Sequence, residues 1–476
     1  MPSGRRLSIA GSLIRERLVR RWRAPDVVFA GAAAASVPVL LWFGRGLTFF
    51  SDEWAFIAER SLTDPSTWWA PHNEHWSTIP ILVYRAVVET VGLRTYVPYL
   101  ALLILLNVVV AVLVRRQVER RAGPWPALAA GMLVLFLGSG FENLYWGFQV
   151  GFVGATALGM GALEVLDGAP TRGRAAALVV LLVAGLMTAG VGLFFLAVVA
   201  VELLFRPDRR RWLGLLLIPI GIYATWFILI GREGIGAHRD PFSLATMAHI
   251  PEFLVAGFGA AAGAVTGVGP GPGVVVAAAA LGAVLWRLAR KRELPIRFVA
   301  ASVGIAVQYA LIAVTRAGVT TGQVHYSRYT YVAVVLALVA LGALLGPALR
   351  DLARTTGRRR FAGLAGAAVV LELAFIWNLR LLAEGRQIFV ERAEMTRALV
   401  TVALASDRPA AVDLGRSLVL VPSPTRLEGI VAAHGSPLTD VLEPWAVPAI
   451  RPEILAEAER RLIYGAPVPT DEDITN

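Results

Sequence analysis

A chain of 476 residues that is 56% hydrophobic and 17% charged, with a mean hydropathy of +0.63, exceeds the roughly 45–50% apolar content of a soluble domain and gathers the excess into long runs. The net charge of +11 comes from arginines clustered between those runs, where they act as topology signals, so nucleic acid is excluded as a partner. Without cysteine the chain has no disulfide framework, thiolate nucleophile or cysteine metal site.

The first 25 residues, with Arg5, Arg6, Arg15, Arg17, Arg20, Arg21 and Arg23, are too long and too basic for the leader of a cleaved signal peptide; they read as a retained cytoplasmic amphipathic segment. Apolar spans then fall near 26–43, 96–114, 124–138, 148–166, 174–189, 191–205, 212–230, 272–287, 296–315, 329–348 and 361–380. The expected fold is therefore an all-α polytopic membrane protein with about eleven transmembrane helices. As one helix, Ala175 to Phe205 would run about 46 Å against a core of about 30 Å, and arginines flank both ends, so it is a hairpin turning at Thr188-Ala189-Gly190-Val191-Gly192. The piece at 250–267 makes no net crossing if Arg287, Arg290, Lys291 and Arg292 are cytoplasmic, and is expected to be re-entrant or interfacial. With every dense basic loop inside, the N-terminus is cytoplasmic. The membrane domain is then 26–381, with an external loop at 44–95, and an external tail occupies 382–476.

Acids, aromatics and isolated arginines gather on the outer face, in the first loop, the Gly140–Trp146 turn, the Thr188 hairpin, 231–248, 316–328 and the tail. The first loop opens Phe49-Phe50-Ser51-Asp52-Glu53-Trp54. Adjacent carboxylates repel, so this pair needs a shifted pKa or a cationic partner, and Asp52 reads equally as a helix N-cap. Further on, Pro71 is a helix start signal, and His72 and His75, three apart with Glu74 between them, would then share one helical face. They offer a divalent-metal site, with a third ligand supplied from elsewhere, or substrate hydrogen bonding and capping. Ile79 to Val91 has the pattern of a helix lying on the membrane surface.

An N-in first helix, a long first external loop opening with Asp52-Glu53, a second acid at Glu142 and the element Tyr326-Ser327-Arg328-Tyr329 together resemble the GT-C superfamily of membrane glycosyltransferases, which includes protein O-mannosyltransferases and aminoarabinose transferases. The resemblance covers the chain to about residue 380. It implies a polyprenyl-phosphate-linked sugar as donor and a glycan, lipid or protein as acceptor, joined at the outer face of a bacterial plasma membrane. Carried over residue by residue, it makes Asp52 the general base, Glu53 its assistant or an acceptor contact, and Glu142 an orienting acid. Arg316, Arg328 and Tyr329 would hold the donor phosphate, and His72, Glu74, His75, Asn143 and Trp146 would contact substrate. No nucleotide-binding glycine loop is present, which disfavours a nucleotide sugar as donor. Two readings from other classes stand beside this one: a flippase or transporter for lipid-linked saccharide, with Glu372, Gln308 and Asn107 on its polar path, and a noncatalytic scaffold of an envelope polysaccharide assembly complex.

Overall fold

A computed structural model describes residues 24–206, 209–234, 243–316, 324–405 and 424–463; the basic N-terminal segment expected at 1–25 therefore lies almost wholly outside the described residues. The described backbone is helical, and its one β-type pairing is a bridge between His72 and His75. In chain order the helices are α1 (Ala24–Phe43), α2 (Asp52–Ala58), α3 (Ser66–Trp69), α4 (Thr78–Val91), α5 (Val97–Ala122), α6 (Pro124–Leu135), α7 (Glu142–Tyr145), α8 (Val150–Leu166), α9 (Arg172–Leu186) and α10 (Val191–Leu204). They continue with α11 (Arg209–Leu229), α12 (Leu244–Ala248), α13 (Ile250–Thr266), α14 (Pro270–Ala289), α15 (Ile296–Arg316), α16 (Ser327–Arg354), α17 (Arg358–Ala405), α18 (Pro424–His434) and α19 (Pro452–Ile463).

Among the described residues nine helices are long and apolar enough to cross a membrane. A helix satisfies its backbone polar groups internally, which hydrocarbon requires. Proline falls in the first turn of α5, α6, α13 and α14, where it costs least, and also inside α1, α11 and α16 at Pro38, Pro219 and Pro347. The burial pattern is that of a membrane protein. Leu217, Leu229, Val275 and Phe361 face outward at 66–77% exposure, whereas Asn107, Gln117, Gln308 and Asn378 are fully buried. Inside, Tyr331 donates to Asn107 (2.8 Å), which donates to the carbonyls of Val134 and Leu135, and Gln308 donates to the carbonyl of Tyr329 (2.7 Å).

Each of the eleven expected spans is a helix, but α6, α9 and α10 have only 12, 15 and 14 residues and fall short of a full crossing by length. The hairpin turns where expected, between Leu186 and Val191. The stretch expected to be re-entrant is an unbroken helix, α13, of spanning length. Pro251 and Glu252 at its start line a cavity together with Pro270, Gly271 and His325.

α15 separates the two ends of the molecule. At its start Arg297 joins an ionic network with Asp167 and Glu202, and beyond its end lie Ser327 and Arg328. The boundary placed at residue 381 falls inside α17, whose 48 residues reach about 72 Å. Nothing there breaks a helix. Gly385 is covered by the ring of Phe141, which occupies the space a side chain would need. The tail folds back onto the first loop, where the His434 carbonyl accepts from Leu93 N (2.8 Å) and Asp440 accepts from Thr95 Oγ1 (3.0 Å), and onto α17, where Arg451 pairs with Glu394 (2.9 Å).

Candidate functional site

Ser51 turns the chain from α1 into α2 with φ 50° and ψ −120°, a conformation that costs a side-chain-bearing residue on the order of 1–3 kcal/mol. Ser51 occupies the N-cap position without a side-chain cap bond, so Asp52 is the first helical residue and not the cap. Adjacent helical residues point about 100° apart, and the two acids separate accordingly.

Glu53 points inward and is fully buried. Its Oε2 accepts from Phe50 N (2.7 Å), and its Oε1 accepts from the hydroxyls of Tyr84 (2.8 Å) and Tyr96 (2.9 Å). Tyr96 accepts in turn from Gly147 N (2.7 Å), which ties the first loop to the segment preceding α8. Gly147 is required by this closeness, because a Cβ there would stand 2.8 Å from Glu53 Oε1. Burial raises the Glu53 carboxyl more than these hydrogen bonds lower it, and the net result is a pKa pushed up to about 8. The shifted member of the acid pair is thus Glu53, the enclosed one.

Asp52 faces outward, one third exposed, with its Oδ1 3.3 Å from His72 Nε2, near but off the line of a hydrogen bond. His72 is buried between the rings of Phe56 and Phe148, at 5.0 and 5.2 Å. The expectation that His72 and His75 share a helical face is corrected. Pro71 starts no helix, because Asn73 adopts φ 50° and closes a tight turn in which His72 and His75 exchange backbone hydrogen bonds of 3.0 Å. His72 therefore faces Asp52, while His75 stands beside Gly190 and Phe152 with Glu74 Oε1 3.9 Å away. Among the described residues no three His, Cys, Asp or Glu side chains converge as metal ligands.

The second acid is clamped. Glu142, 5% exposed, accepts from Ser327 Oγ (2.9 Å), Arg328 N (2.9 Å) and Arg328 Nη1 (2.8 Å). Burial alone would raise its pKa, but Arg328, Arg392 and these hydrogen bonds outweigh it and hold the carboxyl below the usual range. Asn143 donates to the Arg328 carbonyl (3.1 Å), while its Oδ1 is buried without a hydrogen-bond partner. The Arg328 guanidinium lies over Tyr326 (4.4 Å) and Tyr329 (5.2 Å), so its position is set from three sides. Arg316 ends α15, and its side chain lies outside the described residues.

Phe50 joins the two halves. Trp146 donates to its carbonyl (3.2 Å) and packs on its ring (5.7 Å), and Arg392 from α17 lies 4.9 Å over the same ring and 5.1 Å over Phe389. Neither Arg392 nor Phe389 is apparent from the sequence, where both sit in a stretch resembling a tail. Tyr84 and Tyr96 were also missed, and the signal available for them was only that a buried phenol needs a partner. Other loop segments meet at the same end of the bundle: Ile79 N donates to the Met187 carbonyl (3.1 Å), Trp226 donates to the Trp69 carbonyl (2.9 Å), and Gly234 abuts the Asn73 carbonyl.

The arrangement places one accessible carboxylate beside an imidazole, with a fixed guanidinium and a second cation reached through Phe50 and Trp146. Compared with protein-family models, curated proteins and solved structures, the chain matches none.

Proposed function

We propose that the protein is a membrane glycosyltransferase that moves a sugar from a polyprenyl-phosphate donor to a glycan, lipid or protein acceptor at the outer face of a bacterial plasma membrane. The observation that carries this reading is the division of labour among the three acids. Glu53 is enclosed and Glu142 is bound to Ser327 and Arg328, which leaves Asp52 as the accessible carboxylate. In the proposed reaction Asp52 takes the proton of the acceptor hydroxyl as its oxygen attacks the anomeric carbon. The bond from that carbon to the donor phosphate oxygen breaks, and the lipid phosphate leaves with the electron pair. Direct displacement inverts the anomeric carbon. Arg328, held in place by Glu142 and two tyrosines, supplies charge for the departing phosphate, with Arg316 as its companion.

His72 places an imidazole beside the base. The transport alternative draws less support, because Asn107 and Gln308 are engaged within the bundle and Glu372 lies on its exposed side.

The test is sugar transfer from radiolabelled polyprenyl-phosphate sugars by the purified protein in lipid, comparing wild type with Asp52→Asn. Removing a general base is expected to lower kcat by about 10²-fold or more, with the melting temperature unchanged. Donor binding without turnover, the same in both proteins, would refute the reading and favour a transporter or a scaffold.

A further inference from the structure

The end of the bundle remote from Asp52 holds a second polar centre. Five guanidinium groups, Arg116, Arg120, Arg121, Arg297 and Arg350, stand around three carboxylates, Glu164, Asp167 and Glu202. Four of the cations are paired: Arg116 with Glu164 (3.0 Å), Arg120 with Asp167 (3.0 Å), Arg121 with Asp167 (2.7 Å), and Arg297 with Asp167 (3.0 Å) and Glu202. Gln117, fully buried, donates to Glu164 (2.7 Å) and Asp167 (2.8 Å) and uses up more of their acceptor capacity. Arg350 differs from the rest, since among the described residues it has neither hydrogen bond nor ion pair.

Arg120, Arg121, Arg297 and Arg350 line one open cavity of about 420 Å³, with Glu202 as its single carboxylate. Ile296, also in the wall, is the first residue of the 21-residue α15, so the positive end of the helix dipole lies there. Cations in excess of carboxylates, a free guanidinium and a helix N-terminus in one concavity make an anion site, and the guanidinium fork fits phosphate oxygens. Ala343, Pro295 and Pro347 complete the wall with apolar surface, at the level where the apolar helices give way to basic residues.

We propose that this cavity binds a phosphate-bearing headgroup, with an anionic membrane lipid as its source. Ordered phosphate would bridge Arg350 to the paired arginines and fix α16 against α5 and α15 at this end. The site is separate from the Asp52 centre and does not depend on the glycosyl-transfer reading.

The protein in vesicles of phosphatidylcholine doped with phosphatidylglycerol is extracted gently, and the retained lipids are counted by native mass spectrometry. Wild type is expected to retain phosphatidylglycerol over phosphatidylcholine. Arg350→Gln should weaken this retention roughly tenfold, the scale of one lost charge-assisted contact. Arg350→Lys should fall between them, and Arg354→Gln, one turn further and outside the cavity, should behave as wild type. A second arm adds sn-glycerol 3-phosphate. Displacement of the lipid at comparable concentration would support the phosphate site but place its source in solution. Equal retention of the two lipids, or equal losses in Arg350→Gln and Arg354→Gln, would overturn the proposal by reducing the effect to none or to diffuse attraction.

Discussion

Burial holds the Glu53 carboxyl protonated to about pH 8, whereas Asp52 beside it stays in contact with solvent. At neutral pH the adjacent acids therefore carry about one charge between them, which removes the repulsion that their sequence implies. In its neutral form Glu53 keeps Phe50 N–H at Oε2 and returns a hydrogen bond to one of the two phenols. The folded protein holds a proton here that the unfolded chain releases above its ordinary value of 4.5. The stabilisation is thus complete below that value and is lost as pH rises toward about 8, at up to about 1.4 kcal/mol per pH unit. Wild type should melt progressively lower between pH 5 and 8, and Glu53→Gln, which mimics the neutral acid, should flatten that slope; melting curves in detergent across this range measure both. The sequence identifies the acid pair as special without saying which member is the buried one. That distinction comes from Tyr84, Tyr96 and Gly147, which meet Glu53 only after the loop closes on the segment before α8.

At the scale of elements, hydropathy and arginine placement located every apolar helix and the Leu186–Val191 turn, because those follow from local composition. The same signals do not show that the helix begun by the last apolar span runs on to Ala405, since a run of good helix formers continues past residue 381 whether or not lipid surrounds it. Pro71 misled in the opposite direction: Asn73 accommodates φ 50° and closes a turn where a helix start was read. Asp440 is one fastening of the tail to the first loop: it accepts from Thr95 Oγ1 and Tyr96 N on one oxygen and from Leu442 N and Glu443 N of the tail on the other. Asp440→Ala should cost about 1–3 kcal/mol and expose the tail to limited proteolysis, because it leaves buried donors unpaired beside the residue that supports Glu53.

For the whole molecule, the pairing of Glu142 with Ser327 and Arg328, 185 and 186 residues away, could not be read from spacing and exists only in the assembled bundle. The absence of cysteine makes the arrangement of the ends directly measurable. Single cysteines at the exposed positions Thr63 and Thr355 should react with an impermeant maleimide from opposite sides of the membrane, with Thr355 on the side of the basic clusters. α17 gives that arrangement a mechanical consequence. A rod of about 72 Å is a lever, and pivoting it by about 5° at one end displaces the other by about 6 Å. Phe389 and Arg392 ride some two thirds of the way along it, against Phe50. Bilayer thickness governs helix tilt, so acyl-chain length becomes a control on the gap at Phe50. Turnover compared across vesicles of lengthening acyl chain should accordingly pass through an optimum, and a flat response would show that the lever is clamped.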